Sequence, residues 1–363
     1  MVNRLVFENL KHRPVRTLLS ALAIGIQVTL MLTLVGVSHG LLNDIAERSR
    51  GTGADIIVRP PGSSLLGFAG SVMDEKVVRV VREQPHVTLA TGSLVQSVNA
   101  NFTSIAGINL DEFNSMSGGF KYLKGSPFMG DDDLIVDDVY ARSAHVHAGS
   151  TVDFGIKWRV TGVVESGKMS RMFADLKSLQ AKYSASGKVS VIWVKLDDPG
   201  NIQTVVDELK EKLPDYQIYS VEEYISLISA DNIPMLRQFT GVVIGIGVVI
   251  GFLVVFLSMY TAVLERTREI GILKALGASP AYVLGILLRE TILLSIVGVF
   301  AGILMTYGTR YLLGILVPAF TTDIVYAWWP RAALIGLAGS LVGAIYPGLK
   351  AARQDAIEAL AYD

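Results

Sequence analysis

Four long apolar stretches interrupt the chain, at residues 17–37, 239–264, 282–307 and 329–345. A helix needs about 20 consecutive apolar residues to cross the hydrocarbon core of a bilayer. The first three stretches reach that length, and the fourth is short for it. The pattern therefore predicts an α-helical membrane bundle of four transmembrane helices.

Between the first two stretches, residues 41–234 have the pattern of a water-soluble domain. Runs rich in β-branched residues predict strands at 55–58, 87–98, 102–108, 134–136, 151–164 and 189–195. Amphipathic helices are predicted at 74–83, 201–213 and 221–230, the last one behind a capping box of Ser220 and Glu223. About 190 residues can enclose their own core. The order of elements predicts a large α+β domain, as one body or two lobes.

The charges that flank the apolar stretches predict the topology. The first sixteen residues hold Arg4, Lys11, His12, Arg13 and Arg16 against one acid, Glu8. Basic flanks remain in the cytoplasm, so both termini are expected inside and residues 41–234 outside. The first stretch exceeds the 7–15 apolar residues of a signal peptide and no small-x-small cleavage site follows, which favours a retained anchor. The expected parts are residues 1–40, 41–234 and 235–363.

The composition agrees with a membrane protein that carries a soluble domain. The chain is 51% hydrophobic, with mean hydropathy +0.45, yet it contains 32 Lys+Arg and 33 Asp+Glu. Its net charge of -1 does not indicate nucleic-acid binding. Because it has no cysteine, disulfides and cysteine-ligated zinc are excluded.

A charged stretch, ERTREIGILKALGAS at residues 265–279, separates the second and third apolar stretches. Ile270, Leu273 and Leu276 recur at helical spacing, and Glu265 with Arg268 and Arg266 with Glu269 are three residues apart and can pair along a helix. Gly277 suits a helix end, Ser279 an N-cap and Pro280 the first turn of a new helix. The stretch predicts a short helix, a stop and a restart. It is either a partner-binding helix or a loop whose charges only set topology.

Small and charged residues within the spans bear on their packing. Glycines recur four apart in the pairs Gly241 and Gly245, Gly247 and Gly251, Gly298 and Gly302, and Gly339 and Gly343. Such pairs allow close helix packing in lipid, in a compact bundle or at a dimer face. Arg289 and Glu290 enter the third span, where they either snorkel to the interface or contact a neighbouring helix or the charged stretch.

No catalytic, cofactor-binding or metal site is predicted in the chain. The phosphate-binding pattern G-x-x-x-x-G-K-[ST] does not occur in the sequence. His145 and His147 would share one side of a strand, but two ligands do not make a metal site, and a surface turn is the simpler interpretation. The acidic run 131–133 is expected to be a solvated turn rather than a calcium site.

Several segments resemble the FtsX-like and MacB-type permeases of ABC transporters, the type VII or mechanotransmission family. The resemblance rests on ERTREIGILKALGA at 265–278, NLKHRPVRTLLS at 9–20, DDLIVDDVYARSAHVHAGSTV at 132–152 and YPGLKAARQDAIEAL at 346–360. It is not recognised at 63–70 or 173–187. It implies an extracytoplasmic domain like the MacB periplasmic core, inserted between helices 1 and 2. In the family the segment at 265–278 is the coupling helix, which docks on the ATPase.

The resemblance also implies partners and a function. The ATPase-coupling residues would be Glu265, Arg266, Arg268, Glu269, Ile270, Leu273, Lys274, Leu276 and Gly277. ATP and Mg would bind a separate ATPase subunit, so the chain itself would not be an enzyme. The expected location is a bacterial inner membrane. The other expected partners are a second permease, in a homodimer or heterodimer, a periplasmic adaptor or outer-membrane channel, and membrane lipid.

The implied function is to couple ATP hydrolysis to a conformational change of the periplasmic domain for export or extraction of a substrate. Two alternatives remain. The first is an FtsX-like regulator of an extracellular cell-wall hydrolase, which would use the same lever. The second, a membrane-anchored enzyme, lacks a recognisable catalytic constellation.

Overall fold

A computed structural model describes residues 14–65, 70–98, 104–229, 232–318 and 321–354. The elements in chain order are α1 (Pro14–Arg50), β1 (Ile56–Arg59), β2 (Met73–Asp74), α2 (Lys76–Arg82), β3 (Val87–Ser97), β4 (Ser104–Ile108), α3 (Leu110–Ser117), β5 (Tyr122–Gly125), β6 (Asp133–Asp137), α4 (Asp138–Ala144), β7 (Thr151–Asp153), β8 (Lys157–Val164), β9 (Met172–Asp175), α5 (Leu176–Lys182), β10 (Lys188–Val189), β11 (Val191–Leu196), a 3-10 turn (Pro199–Asn201), α6 (Ile202–Lys212), β12 (Gln217–Ser220), α7 (Val221–Leu227), α8 (Pro234–Glu265), α9 (Thr267–Ala275), α10 (Pro280–Leu316) and α11 (Trp328–Arg353).

These elements form two compact units. The helical unit contains the described residues of 1–39, 234–315 and 322–363, and the sheet unit contains those of 40–233 and 316–321. The helical unit thus holds most of α1 together with α8 to α11. The sheet unit holds the elements from β1 to α7.

Among the described residues, four helices are long and apolar enough to span a membrane: Thr17–Arg50, Leu236–Glu265, Pro280–Leu316 and Trp328–Arg353. The fourth differs from the expected short span because it continues through Pro347 to Arg353. A proline inside a helix removes one backbone hydrogen bond, but neighbouring helices can offset this loss. Pro347 is buried, as are Ala351 and Ala352 one turn later. Packing therefore extends the helix past the point where its sequence predicts an end.

Glycine brings the helix backbones together within the helical unit. A Cβ atom added to Gly302 of α10 would lie 2.7 Å from the carbonyl oxygen of Gly25 on α1. Gly298 approaches Ala21 in the same way, and Gly343 of α11 approaches the Phe252 carbonyl of α8. These contacts leave no room for a larger side chain.

At the other predicted glycines, the nearest neighbour of an added Cβ atom is a side chain, or there is none within 4 Å. Gly251 faces the Gln27 side chain, while Gly247 and Gly339 are at ordinary van der Waals distance from their neighbours. Gly241 and Gly245 have no other described group within 4 Å of an added Cβ atom, so this pair does not pack within the described chain. Helical spacing alone could not distinguish these cases, because it does not say which neighbour a face meets.

The sheet unit is built on a mixed sheet with, in the described residues, ten strands. The strand order is β12-β1-β11-β3-β4-β9-β6-β8-β5, with β7 paired to β8, and a separate small sheet pairs β10 with β2. The β4–β9 and β6–β8 pairs are parallel, and the other pairs are antiparallel. One continuous sheet therefore runs through the whole unit, which is one body rather than two lobes.

Both faces of this sheet are buried. On β11, Ile192 and Val194 enter a core that also contains side chains of α2, α5 and α6. Val191 and Trp193 point the other way, into a core shared with α3 and α7. Alternate residues of a strand point to opposite faces of the sheet. Because both faces are covered here, the sequence of β11 is a nearly continuous run of apolar residues.

Strand-to-helix transitions in the sheet unit use one local device. The side chains of Asn109, Asp137, Asp175 and Ser220 each accept a hydrogen bond from the backbone N–H three residues later. This bond satisfies a helical N–H that has no intrahelical partner. Of these caps, the sequence analysis identified only that of Ser220, and it predicted no helix at α3 or α5. It also merged β7 and β8, which form a hairpin around residues 154–156.

Candidate coupling helix

The charged stretch folds as helix α9, which follows α8 after a single residue, Arg266. The buried Thr267 hydroxyl donates to the carbonyl oxygens of Val263 (3.1 Å) and Leu264 (2.9 Å). These bonds satisfy carbonyl groups in the last turn of α8, where partners within that helix are lacking. The Thr267 side chain therefore joins the start of α9 to the last turn of α8.

The C-terminal end of α9 is closed by a Schellman motif. The N–H of Ala278 donates to the Leu273 carbonyl oxygen (3.0 Å) and that of Gly277 donates to the Lys274 carbonyl oxygen (2.9 Å). Gly277 has φ +95°, a left-handed conformation that glycine adopts without a Cβ clash. Ser279 then caps α10 by accepting from the Tyr282 N–H at 3.2 Å. Helix α9 therefore ends, and α10 begins, at the residues that the sequence predicts.

One face of α9 is buried within the helical unit. Ile270 is only 6% exposed and packs in a cluster with Val283 and Leu287 of α10 and Ala351 of α11. It therefore exposes almost no surface within this chain, and its role as an ATPase-coupling residue stays a prediction. Leu273, on the same predicted face, is half-buried.

Arg266 is also buried, in an ion pair with Glu290 of α10. Its Nη1 donates to the Glu290 Oε2 at 3.3 Å, and the two side chains are 10% and 8% exposed. The spacing of the sequence predicts that Arg266 pairs with Glu269 on the helix surface. The structure instead buries Arg266 against Glu290. Glu290 contacts the charged stretch rather than snorkelling, whereas its neighbour Arg289 is exposed. A buried charge in this position requires such a partner.

Lys274 connects the other end of α9 to α11. Its ammonium group donates to the carbonyl oxygen of Ala352 at 3.0 Å and also to that of Gln354, the C-cap of α11. A cation is favoured at a helix C-terminus, where carbonyl groups are unpaired. Lys274 is therefore engaged within the chain, and its role in contact with an ATPase stays a prediction.

The opposite face of α9 is open. It presents Arg268 and Glu269 together with Ile272 (46% exposed) and Leu276 (80% exposed), while Glu265 and Gly277 are exposed at its two ends. The sequence analysis missed Ile272, although it lies four residues before Leu276 and so shares its side of the helix. We call Arg268, Glu269, Ile272 and Leu276 the open face. A helix of this composition can dock through apolar contacts framed by charges.

The remaining candidate sites have structural roles. His145 ends α4 in a left-handed conformation, and His147 lies in the turn that follows. Asp133 is 2% exposed and accepts hydrogen bonds from Arg159, so the acidic run is not simply a solvated turn. Asp132 pairs with Lys182. Within the described ranges, no group of three or more His, Asp or Glu side chains could hold a metal ion.

Comparison with known protein families places this helix in context. The family description of a MacB-like periplasmic core domain matches residues 17–212, more than half of the chain. The chain belongs to that family. A second description, FtsX-like permease C-terminal, matches residues 241–356, which include α9 and its neighbours. The first match runs through residues 63–70 and 173–187, where the sequence resemblance had not been recognised.

Individual relatives carry corresponding names. The chain is 26% identical to the macrolide export ATP-binding/permease protein MacB of Hahella chejuensis, over 96% of this chain and 58% of that protein. It is 23% identical to MacB of Escherichia coli, over 99% of this chain and 60% of that protein. It is 28% identical to the ABC transporter permease YknZ of Bacillus subtilis, over 58% of this chain and 53% of that protein. The chain thus spans about three fifths of the length of its MacB relatives.

Two solved structures are also similar to this chain. One is the periplasmic region of MacB from Actinobacillus actinomycetemcomitans, with 18% identity and a TM-score of 0.36, covering 48% of this chain and 92% of that one. The other is the extracellular domain of the transporter YknZ, with 15% identity and a TM-score of 0.35, covering 46% of this chain and 99% of that one.

Proposed function

We propose that this chain is the permease subunit of a MacB/FtsX-type ABC transporter. A separate ATPase subunit binds ATP and Mg and docks on α9. Hydrolysis then changes the conformation of the sheet unit, which acts outside the cytoplasm in export or extraction of a substrate. The chain contributes the mechanical coupling, and the ATPase subunit contributes the chemistry.

The open face of α9 carries this proposal. Leu276 and Ile272 are exposed beside the charged side chains of Arg268 and Glu269, on a short helix that follows the end of a hydrophobic helix. Apolar anchors surrounded by charges are typical of a docking surface, where the anchors supply affinity and the charges supply orientation. The match to the FtsX-like permease C-terminal region supports this assignment.

The test is to remove the two apolar anchors. The I272S/L276S variant should bind the purified ATPase subunit more weakly, by about 1–3 kcal/mol for each side chain lost from a groove. The dissociation constant is measured with the full chain in nanodiscs. A matched control is V72S/V80S, which removes two exposed valines from the sheet unit and should leave the affinity unchanged. Wild-type affinity in I272S/L276S would mean that α9 is not the docking element.

We further propose that the complex contains two permease subunits, identical or related. On α8, Val242, Ile246, Val249 and Leu253 form an exposed apolar row, and Gly241 and Gly245 lie near its start. Lipid or another transmembrane helix can cover such a row, and small residues favour the helix because they allow close approach. A periplasmic adaptor or an outer-membrane channel would complete an export pathway.

A further inference from the structure

We propose that Arg266 and Glu290 are positioning residues that fix α9 to α10, so that a displacement of α9 moves α9 and α10 as one piece. This inference rests on the proposed docking of an ATPase on α9. It concerns a step after docking, because neither side chain lies on the open face. The two residues would convert movement of a short surface helix into movement of a membrane span.

The geometry makes Arg266 the natural point of attachment. It is the single residue between α8 and α9, and its Nη1 reaches the Glu290 Oε2 at 3.3 Å. Glu290 lies ten residues after Pro280, about 15 Å along α10 at the helical rise of 1.5 Å per residue. The pair thus links the start of α9 to the body of the third span, well beyond the turn that joins the two helices.

Burial makes the link hard to break. Both side chains are about nine-tenths buried, so separation of the pair would leave the Glu290 carboxylate in an apolar environment without the Arg266 guanidinium. Movement of α9 away from α10 would separate opposite charges in a low-dielectric environment, where their attraction is strong. Such a contact transmits a displacement instead of absorbing it.

Two further contacts also hold α9 against the neighbouring helices. Ile270 packs between α9 and the side chains of Val283 and Leu287 on α10. Lys274, at the far end of α9, donates to the last carbonyl oxygens of α11. Helix α9 is therefore held along its length, by α10 near its start and by α11 near its end. The open face, by contrast, makes none of these contacts.

The test separates docking from transmission. Because the sequence has no cysteine, spin labels can be placed at D215C in the sheet unit and Y311C in the helical unit, both at exposed positions. The full chain with its ATPase subunit is reconstituted in nanodiscs. The label-to-label distance is measured by pulsed EPR with and without ATP, alongside ATPase affinity and ATP hydrolysis.

We expect E290Q to bind the ATPase with an affinity within about twofold of wild type. The fraction of molecules that change distance with ATP should fall by about tenfold, because the ion pair between Arg266 and α10 is lost. The swap R266E/E290R should restore at least about half of the response, since it rebuilds the pair in reverse. R289Q, at the exposed neighbouring position, is the matched control and should behave like wild type.

A wild-type distance change in E290Q would overturn the proposal, as would a swap no better than the single variant. If E290Q does not fold, the double variant R266Q/E290Q is used instead, because it buries no unpaired charge. A wild-type distance change with ATP in this variant would contradict the proposal. Loss of the distance change with ATPase binding retained would support it. Failure of the ATPase to bind the wild-type chain is a different result. It would refute the proposed function itself.

Discussion

Single glycines set the helix spacing in the helical unit, and two glycines of α10 illustrate how local that effect is. Gly302 faces the backbone of α1, with the Gly25 carbonyl oxygen 2.7 Å from an added Cβ atom. Gly308, less than two turns later on the same helix, is exposed and has no other described group within 4 Å. The same substitution should therefore have opposite effects at the two positions.

We predict that G302A destabilises the helical unit by about 1–3 kcal/mol, because the added methyl group forces the two backbones apart. G308A should be neutral or stabilising by up to about 1 kcal/mol, since alanine has a higher helix propensity than glycine and its methyl group would not clash with a described neighbour. The thermal unfolding midpoint of the detergent-solubilised chain measures both. Equal midpoints for the two variants would contradict the close α1–α10 contact.

A cluster of charges in the sheet unit includes an acid with an unusual environment. Asp137 is buried, accepts from the Tyr140 N–H at 2.6 Å and lies 3.5 Å from Arg171, which also pairs with Asp44 of α1. Burial raises the pKa of Asp137 from 3.8 to about 6, although the Tyr140 N–H and Arg171 oppose this rise. Desolvation thus outweighs the favourable contacts.

This pKa predicts a pH dependence of stability. Between about pH 4 and 6 the native state binds more protons than the unfolded chain, so the free energy of unfolding falls as pH rises, by about 2–3 kcal/mol at most. D137N retains the cap but cannot titrate, and should flatten this slope. Urea unfolding followed through the buried Trp158 and Trp193 measures the effect.

The control for that experiment is D175N, which alters the equivalent cap of α5, where the carboxylate accepts from the Ser178 N–H. It separates the cost of changing a cap from the loss of a titrating group. A slope in D137N as steep as that of wild type would show that Asp137 does not titrate in this range.

At the scale of elements, the turn between α9 and α10 depends on one backbone conformation. Gly277 has φ +95° and no other described group within 4 Å of an added Cβ atom, so a larger residue would fit but would be strained. We predict that G277V costs about 1–2 kcal/mol, because a β-branched residue is disfavoured in the left-handed region. G277N, which tolerates that region better, should cost less.

The measurement for Gly277 combines thermal stability with ATPase affinity. If the turn orients α9 for docking, G277V should weaken both quantities and G277N should largely preserve both. A valine variant that matches wild type in both would show that the turn conformation is unimportant for this helix.

Which faces of the elements are buried was only partly predictable. Periodicity placed Ile270, Leu273 and Leu276 near one another on α9, but it gives the angle between residues and not the direction of the core. The structure buries Ile270 and exposes Ile272 and Leu276. In the sheet unit, the Asn and Asp caps that begin α3, α4 and α5 were visible in the sequence. They were missed because an Asn or Asp after a strand is equally typical of a turn.

At the scale of the whole molecule, the topology is a prediction that rests on charge. We expect a reporter inserted near Gly187 to lie outside the cytoplasm, and reporters at Gly277 and after residue 363 to lie inside, because basic flanks remain in the cytoplasm. Activity of alkaline phosphatase and green fluorescent protein fusions distinguishes the two sides. A cytoplasmic reporter at Gly187 would rule out the four-span arrangement.

The sequence by itself determined the four long apolar helices, the presence of a mixed α and β unit and the short helix of the charged stretch. These features depend on hydrophobic length, local propensity and capping, which act over a few consecutive residues. Only the tertiary structure decided that Arg266 pairs with Glu290, that Lys274 caps α11 and that Pro347 lies within a helix. Each of these outcomes depends on groups brought together from distant parts of the chain, and no local pattern records that proximity.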